Sequence, residues 1–140
     1  MARRRLWRRP VVREERVPPT PETAAKLVPD SLIGIAPDLQ QAAALLAFGW
    51  LVLTTPVRIK IASVERIGGR KLTWSPAESD AVERFKRWCR EMRRRRLDNI
   101  AVVVICVDGA QPWQMDEIRG WPQGRAAEML IEGLTVFAEG

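Results

Sequence analysis

The sequence predicts a mainly α-helical domain that follows a flexible, basic N-terminal arm and ends in a helix-turn-helix. Three observations support this fold class. Arginines and prolines crowd residues 1 to 30, a Ser-x-x-Glu signal starts an amphipathic stretch at Ser75, and glycines and prolines divide residues 98 to 138 into short apolar runs. The chain of 140 residues can build about one core, which we assign to residues 31 to 140.

The arm, residues 1 to 30, is predicted from charge and proline content. Residues 1 to 16 hold seven arginines, among them Arg3, Arg4 and Arg5, and two glutamates, so their net charge is +5. Such a segment buries too little apolar surface to offset the entropy lost on ordering. We expect its arginines either to attract phosphate or to act only as a solubilising tail.

A first helix is predicted over residues 37 to 53. Pro37 and Asp38 suit a first helical turn, and nearly every side of the following stretch is apolar, which is typical of a buried helix. Its uncharged apolar centre, AAALLAFGWLVL, is too short to favour a membrane span. Residues 57 to 67 fit both a short strand and a helix, and both interpretations stay open.

The helix with the clearest sequence signals is predicted over residues 76 to 96. Ser75 and Glu78 form a capping box around Pro76, and an apolar stripe follows at helical spacing. Between residues 84 and 96 there are eight basic residues and one glutamate, a net charge of +7. Four of these follow one another at the predicted C-terminus: Arg93, Arg94, Arg95 and Arg96. This is more positive charge than is needed to complement the carbonyl groups at a helix C-terminus, so we predict phosphate contact. The alternative is a basic helix end that contacts only solvent.

Residues 98 to 138 predict the helix-turn-helix. The octet IAVVVICV is β-branched, so local propensity favours a strand. We predict a helix because a Gly109 stop, a short helix from Pro112, a Gly-Trp-Pro turn and a last helix to about Ala138 follow it.

These landmarks resemble the C-terminal helix-turn-helix of bacterial sigma factors, region 4, and of small regulators built on it, including prophage and alphaproteobacterial regulatory proteins. The matching residues are Gly109, Met115, Ile118, the turn Gly120-Trp121-Pro122-Gln123-Gly124, and Ala126, Leu130 and Leu134. Two residues depart from the family pattern. Asp116 stands where the family has a small residue, and Arg119 stands where it has leucine, and we expect the two to pair with each other.

The resemblance implies a DNA-binding regulator, and two thiols without a secretory segment predict a cytoplasmic protein. In it, the arm and residues 93 to 96 would hold phosphates, while Gln123 and Arg125 would lie near bases. Residues 97 to 140 carry two basic and seven acidic residues, a net charge of −5, and that opposes DNA binding. The residues at the groove-reaching positions are mostly neither basic nor hydroxylic: Arg125, Ala127, Glu128, Met129, Ile131 and Glu132.

The alternative is a degenerate helix-turn-helix that acts as a protein-interaction or dimerisation module, including in a phage particle. Its mixed apolar and acidic face would comprise Glu128, Met129, Ile131 and Glu132. An enzyme, a metal site, a cofactor and a membrane partner are not expected. The chain has no histidine, no glycine-rich phosphate loop and no metal-ligand spacing, and its two cysteines lie in apolar patterns.

Overall fold

The computed structural model describes residues 12–13, 16–26, 29–55, 59–60 and 74–140, and over these the protein is mainly α-helical. The elements, in chain order, are β1 (Val12–Arg13), α1 (Pro21–Lys26), a 3-10 turn (Asp30–Leu32), α2 (Pro37–Thr54), β2 (Ile59–Lys60), α3 (Pro76–Arg94), α4 (Asn99–Asp108), α5 (Pro112–Arg119) and α6 (Arg125–Glu139). The β1 and β2 strands pair antiparallel, with Val12 opposite Lys60 and Arg13 opposite Ile59. Most of the uncertain segment 57 to 67 lies outside the described residues.

The α2 helix forms one wall of the core. It starts at Pro37, as the proline signal predicts, and buries Leu46 and Val52 completely. Gly49 lets α3 approach closely, because a Cβ atom there would lie 2.8 Å from the backbone oxygen of Ala81. No described helix is both long and apolar enough to cross a membrane.

The α3 helix begins with the predicted capping box. The Glu78 amide donates to Ser75 Oγ at 3.2 Å, and the Ser75 amide donates to Glu78 Oε1 at 2.9 Å. The helix ends at Arg94, two residues before the predicted end. Arg96 takes a left-handed conformation, φ 58°, and the Leu97 amide donates back to the Met92 oxygen at 2.8 Å, which closes the helix.

Part of the segment predicted as a flexible arm, residues 1 to 30, packs on the helical domain instead. Arg16 Nε lies 2.7 Å from Oε2 of the fully buried Glu78, and Gln41 Nε2 donates to the Pro19 oxygen at 3.0 Å. Ala24 of α1 is buried. A buried carboxylate needs a charged or hydrogen-bonding partner, and Arg16 meets that need. Residues 1–11 lie outside the described residues.

The β-branched octet IAVVVICV is helical. The glycine and proline signals after it predict this helix, whereas local propensity favours a strand. Asp98 caps α4 by accepting from the Ala101 amide at 3.1 Å, and Gly109 ends it with φ 72°. Val102 and Ile105 are almost fully buried. Burial of these large side chains outweighs a propensity difference of about 1 kcal/mol.

The last helix, α6, lies at the centre of the packing and contacts each of α2, α3, α4 and α5. Its inward side chains Leu130, Leu134 and Phe137 are buried in the main core. Across from them, Trp88 Nε1 of α3 donates to the Gly133 oxygen at 2.9 Å. The C-terminal helices α4, α5 and α6 therefore pack with α2 and α3 around one main core.

Candidate nucleic-acid interface

A tight corner joins α5 to α6. Gly120 and Gly124 both take left-handed conformations, with φ values of 68° and 91°. The side chain of Asp116, only 6% exposed, accepts from the Gly124 amide at 2.9 Å and from the Ala126 amide at 2.7 Å. Asp116 thus satisfies unpaired amides at the start of α6 and locks α5 to it.

The expected pairing between Asp116 and Arg119 is wrong. Asp116 faces the N-terminus of α6, where the helix dipole favours a carboxylate, and Arg119 Nε instead lies 3.1 Å from Asp98 Oδ2. Sequence analysis missed this brace because it compared Asp116 only with neighbours on its own helix. The available signal was a carboxylate one turn before a Gly-x-Pro-x-Gly corner, where the next helix begins.

The two residues predicted to lie near bases occupy the start of α6 and the turn before it. Gln123 is exposed in the turn. Arg125 Nη1 lies 3.4 Å from Glu128 Oε2 and 3.5 Å from Glu132 Oε1, so its charge is shared with two carboxylates of its own helix. An approaching phosphate would have to compete with these carboxylates for Arg125.

The outward face of α6 carries three of the four residues of the predicted interaction face. Glu128 and Glu132 are exposed, and Ile131 between them is 40% exposed. Including Met129 was wrong: it is 5% exposed and belongs to the core, because the helical spacing turns it inward with Ala126 and Leu130.

The four arginines at the end of α3 fall into two pairs. Arg94 and Arg95 both bind Glu91, whose pKa their hydrogen bonds lower to about 2. Arg93 and Arg96 are exposed and form no ion pair with the described part of the chain. Arg93 and Arg96 are therefore the arginines of this run with charge available for an external anion.

Sequence analysis missed a cationic stripe that includes Arg93. Lys86, Arg90 and Arg93 recur at i, i+4 and i+7 on α3, a spacing that was readable in the sequence and places them on one face. The opposite face meets α6, since Arg84 Nη2 donates to the Phe137 oxygen at 3.0 Å and the Arg84 guanidinium lies 4.3 Å from that ring's centre. The stripe therefore points away from α6.

The structure does not bring all the predicted site residues together. Arg95 Nη2 lies 3.9 Å from Glu139 Oε2, at the C-terminal end of α6, whereas Arg125 is at its other end. At a rise of 1.5 Å per residue the two ends of α6 are about 21 Å apart. Arg3, Arg4 and Arg5 lie outside the described residues.

The described side chains hold no group of three or more that could bind a metal ion. Comparison with protein-family models, with curated proteins and with solved structures finds no match to the chain.

Proposed function

We propose that the protein is a DNA-binding regulatory protein in which α5 and α6 act as a helix-turn-helix of the sigma region 4 type. The observation that carries this proposal is the corner braced by Asp116. A buried side chain that fixes two short helices around two left-handed glycines makes a rigid unit with the start of α6 at the surface. Gln123 and Arg125 stand at that surface and are the residues for base contact.

Most phosphate contact in this proposal comes from outside the helix-turn-helix. Residues 97 to 140 have a net charge of −5, so they repel a duplex, while residues 84 to 96 have a net charge of +7. Arg93 and Arg96 form no ion pair with the residues that the structure describes, and the N-terminal segment adds Arg3, Arg4 and Arg5. This division of labour, with phosphate contacts that position and few side chains that read sequence, is common in DNA-binding proteins.

Two double variants of equal charge change test the phosphate contacts. Arg93→Gln/Arg96→Gln removes two unshared charges, whereas Arg94→Gln/Arg95→Gln removes two that Glu91 already binds. In fluorescence anisotropy with a labelled duplex, we expect the first variant to bind several-fold more weakly than the second. Equal losses in the two variants would mean that only net charge matters.

A salt titration and Arg125→Gln test the proposal as a whole. Binding that depends on phosphate should weaken steeply between about 50 and 200 mM salt, because each neutralised phosphate releases counterions. Arg125→Gln should reduce discrimination between duplex sequences more than it reduces overall affinity. Salt-independent binding, or the absence of any duplex binding at low salt, would overturn the DNA-binding proposal.

The second candidate is a protein-interaction module, and the outward face of α6 favours it. Ile131, 40% exposed, lies between Glu128 and Glu132, so this face offers an apolar centre within an acidic rim. A second copy of the chain could meet it with the basic end of α3. Light scattering after size exclusion should then show a dimer that Ile131→Asp converts to a monomer, whereas Ile118→Asp, an exposed change on α5, should not. A wild-type monomer at all concentrations excludes self-association.

A further inference from the structure

A cavity of about 610 Å³ opens between α3 and α4, and the C-terminal part of α2 forms one of its walls. Trp50 and Leu53 come from α2, Phe85 and Cys89 from α3, and the rest of the apolar lining is from α4: Ile100, Val103, Val104 and Val107. Its volume falls within the range of about 300 to 1,000 Å³ typical of small-molecule sites.

The rim of this cavity is cationic. Lys86, Arg90 and Arg93, the stripe on α3, all line it, and one carboxylate, Asp108, lines it as well. Three cations against one carboxylate leave the lining with a net charge of +2. Asn99 adds a neutral amide to the lining.

A second cavity provides a comparison within the same molecule. It measures about 570 Å³ and lies between residues 17–32 and the outer side of α2, with Cys106 and Val107 of α4. None of the described side chains that line it is charged. The combination of an apolar interior with cations at the rim is therefore specific to the α3–α4 cavity when the two are compared.

We propose that the α3–α4 cavity binds a small amphipathic anion, namely an aliphatic carboxylate, with its chain among Trp50, Phe85 and Val103 and its head at Arg90 and Arg93. Apolar contact and a charge-assisted hydrogen bond each favour this orientation. The site goes beyond the proposed DNA-binding role: it shares Arg93 with the proposed phosphate contacts, but no residue of the α5–α6 corner takes part, so the ligand can bind whether or not the protein binds DNA.

Isothermal titration calorimetry of the full chain with decanoate, well below its micellar concentration, tests the site, and decan-1-ol is the uncharged control. We expect saturable binding of decanoate and binding of the alcohol weaker by about tenfold, since the alcohol lacks the charge-assisted contact. Arg90→Gln/Arg93→Gln should bring decanoate to the level of the alcohol. Arg87→Gln/Arg94→Gln, an equal charge change on exposed α3 positions that do not line the cavity, should leave decanoate binding unchanged.

Alkylation of Cys89 supplies an independent readout of where the ligand lies. Burial raises the pKa of Cys106 to about 12 and so keeps that thiol unreactive, while the half-buried Cys89 lines the cavity. Decanoate should slow the iodoacetamide reaction of Cys89, detected by mass spectrometry, and Ile100→Glu at the exposed mouth should abolish that protection. Three outcomes overturn the proposal: no saturable binding, equal binding of acid and alcohol, or binding that leaves Cys89 unprotected.

Discussion

At the scale of single residues, Asp116 contributes most to the shape of the candidate DNA interface. Its two accepted hydrogen bonds come from backbone amides on the far side of a glycine corner. When the sequence is compared with the sigma region 4 pattern, Asp116 is seen only as an aspartate where the pattern has a small residue. Its partners depend on how the chain folds back after Gly120, and that tertiary contact is not encoded in the spacing of residues along α5.

Asp116→Ala should lower the free energy of unfolding by about 2 kcal/mol, because it removes a helix cap and leaves two amides without their acceptor. Urea denaturation followed by circular dichroism measures the loss. The control is Glu117→Ala, its exposed neighbour on α5, which should change stability by less than about 0.5 kcal/mol. Similar effects of the two changes would contradict the bracing role of Asp116.

Arg96 occupies the left-handed position that ends α3, where glycine is usual. Arg96→Gly should therefore raise the free energy of unfolding by about 0.5 to 1 kcal/mol, since a non-glycine residue is strained there. Arg93→Gly, in the last turn of the helix, should lower it by up to about 1 kcal/mol. Both variants lose one exposed arginine, so thermal unfolding curves that shift in the same direction would argue against the backbone explanation.

At the scale of elements, the signals at helix ends predicted the fold better than internal propensity did. Ser75 and Glu78 locate the start of α3, and Gly109 and Gly120 locate the ends of α4 and α5. The octet IAVVVICV in α4 could be predicted as a helix only from the glycine and proline signals that follow it, because its β-branched residues alone favour a strand. Residues 16–24 could not be assigned correctly from sequence, since the buried Glu78 that binds Arg16 lies far along the chain.

The contact between α2 and α3 depends on Gly49. In an isolated helix, glycine to alanine adds about 1 kcal/mol of stability. Here we expect Gly49→Ala to destabilise by about 1 to 3 kcal/mol, because the new Cβ would meet the Ala81 oxygen at 2.8 Å and a backbone carbonyl cannot turn aside.

Gly133→Ala provides the comparison for Gly49→Ala. Its Cβ would meet Cγ2 of the buried Val102 at 2.9 Å and Cε of Met92 at 3.1 Å. Both are side-chain atoms, which can shift more easily than the backbone oxygen that Gly49 faces, and the flexible Met92 can shift most easily. We therefore expect a smaller loss than at Gly49, measured by the midpoint of urea unfolding. A stabilising Gly49→Ala would show that the two helices separate at little cost.

At the scale of the whole molecule, charge is divided between two regions. The sequence shows the division as numbers, +7 for residues 84 to 96 and −5 for residues 97 to 140. It cannot show that Lys86, Arg90 and Arg93 face away from α6, because that follows from which side of α3 meets Phe137 and Gly133.

The DNA-binding proposal and the carboxylate-site proposal both use Arg93, so each can be tested against the other. If DNA phosphates bind the stripe, then decanoate, whose head occupies Arg90 and Arg93, should weaken duplex binding in fluorescence anisotropy, while decan-1-ol at equal occupancy should not. The effect should be several-fold, because two of the cations available to phosphate are neutralised together. Decanoate that binds the cavity yet leaves duplex affinity unchanged would assign phosphate contact to the arginines that the ligand does not occupy, namely Arg96, Arg3, Arg4 and Arg5.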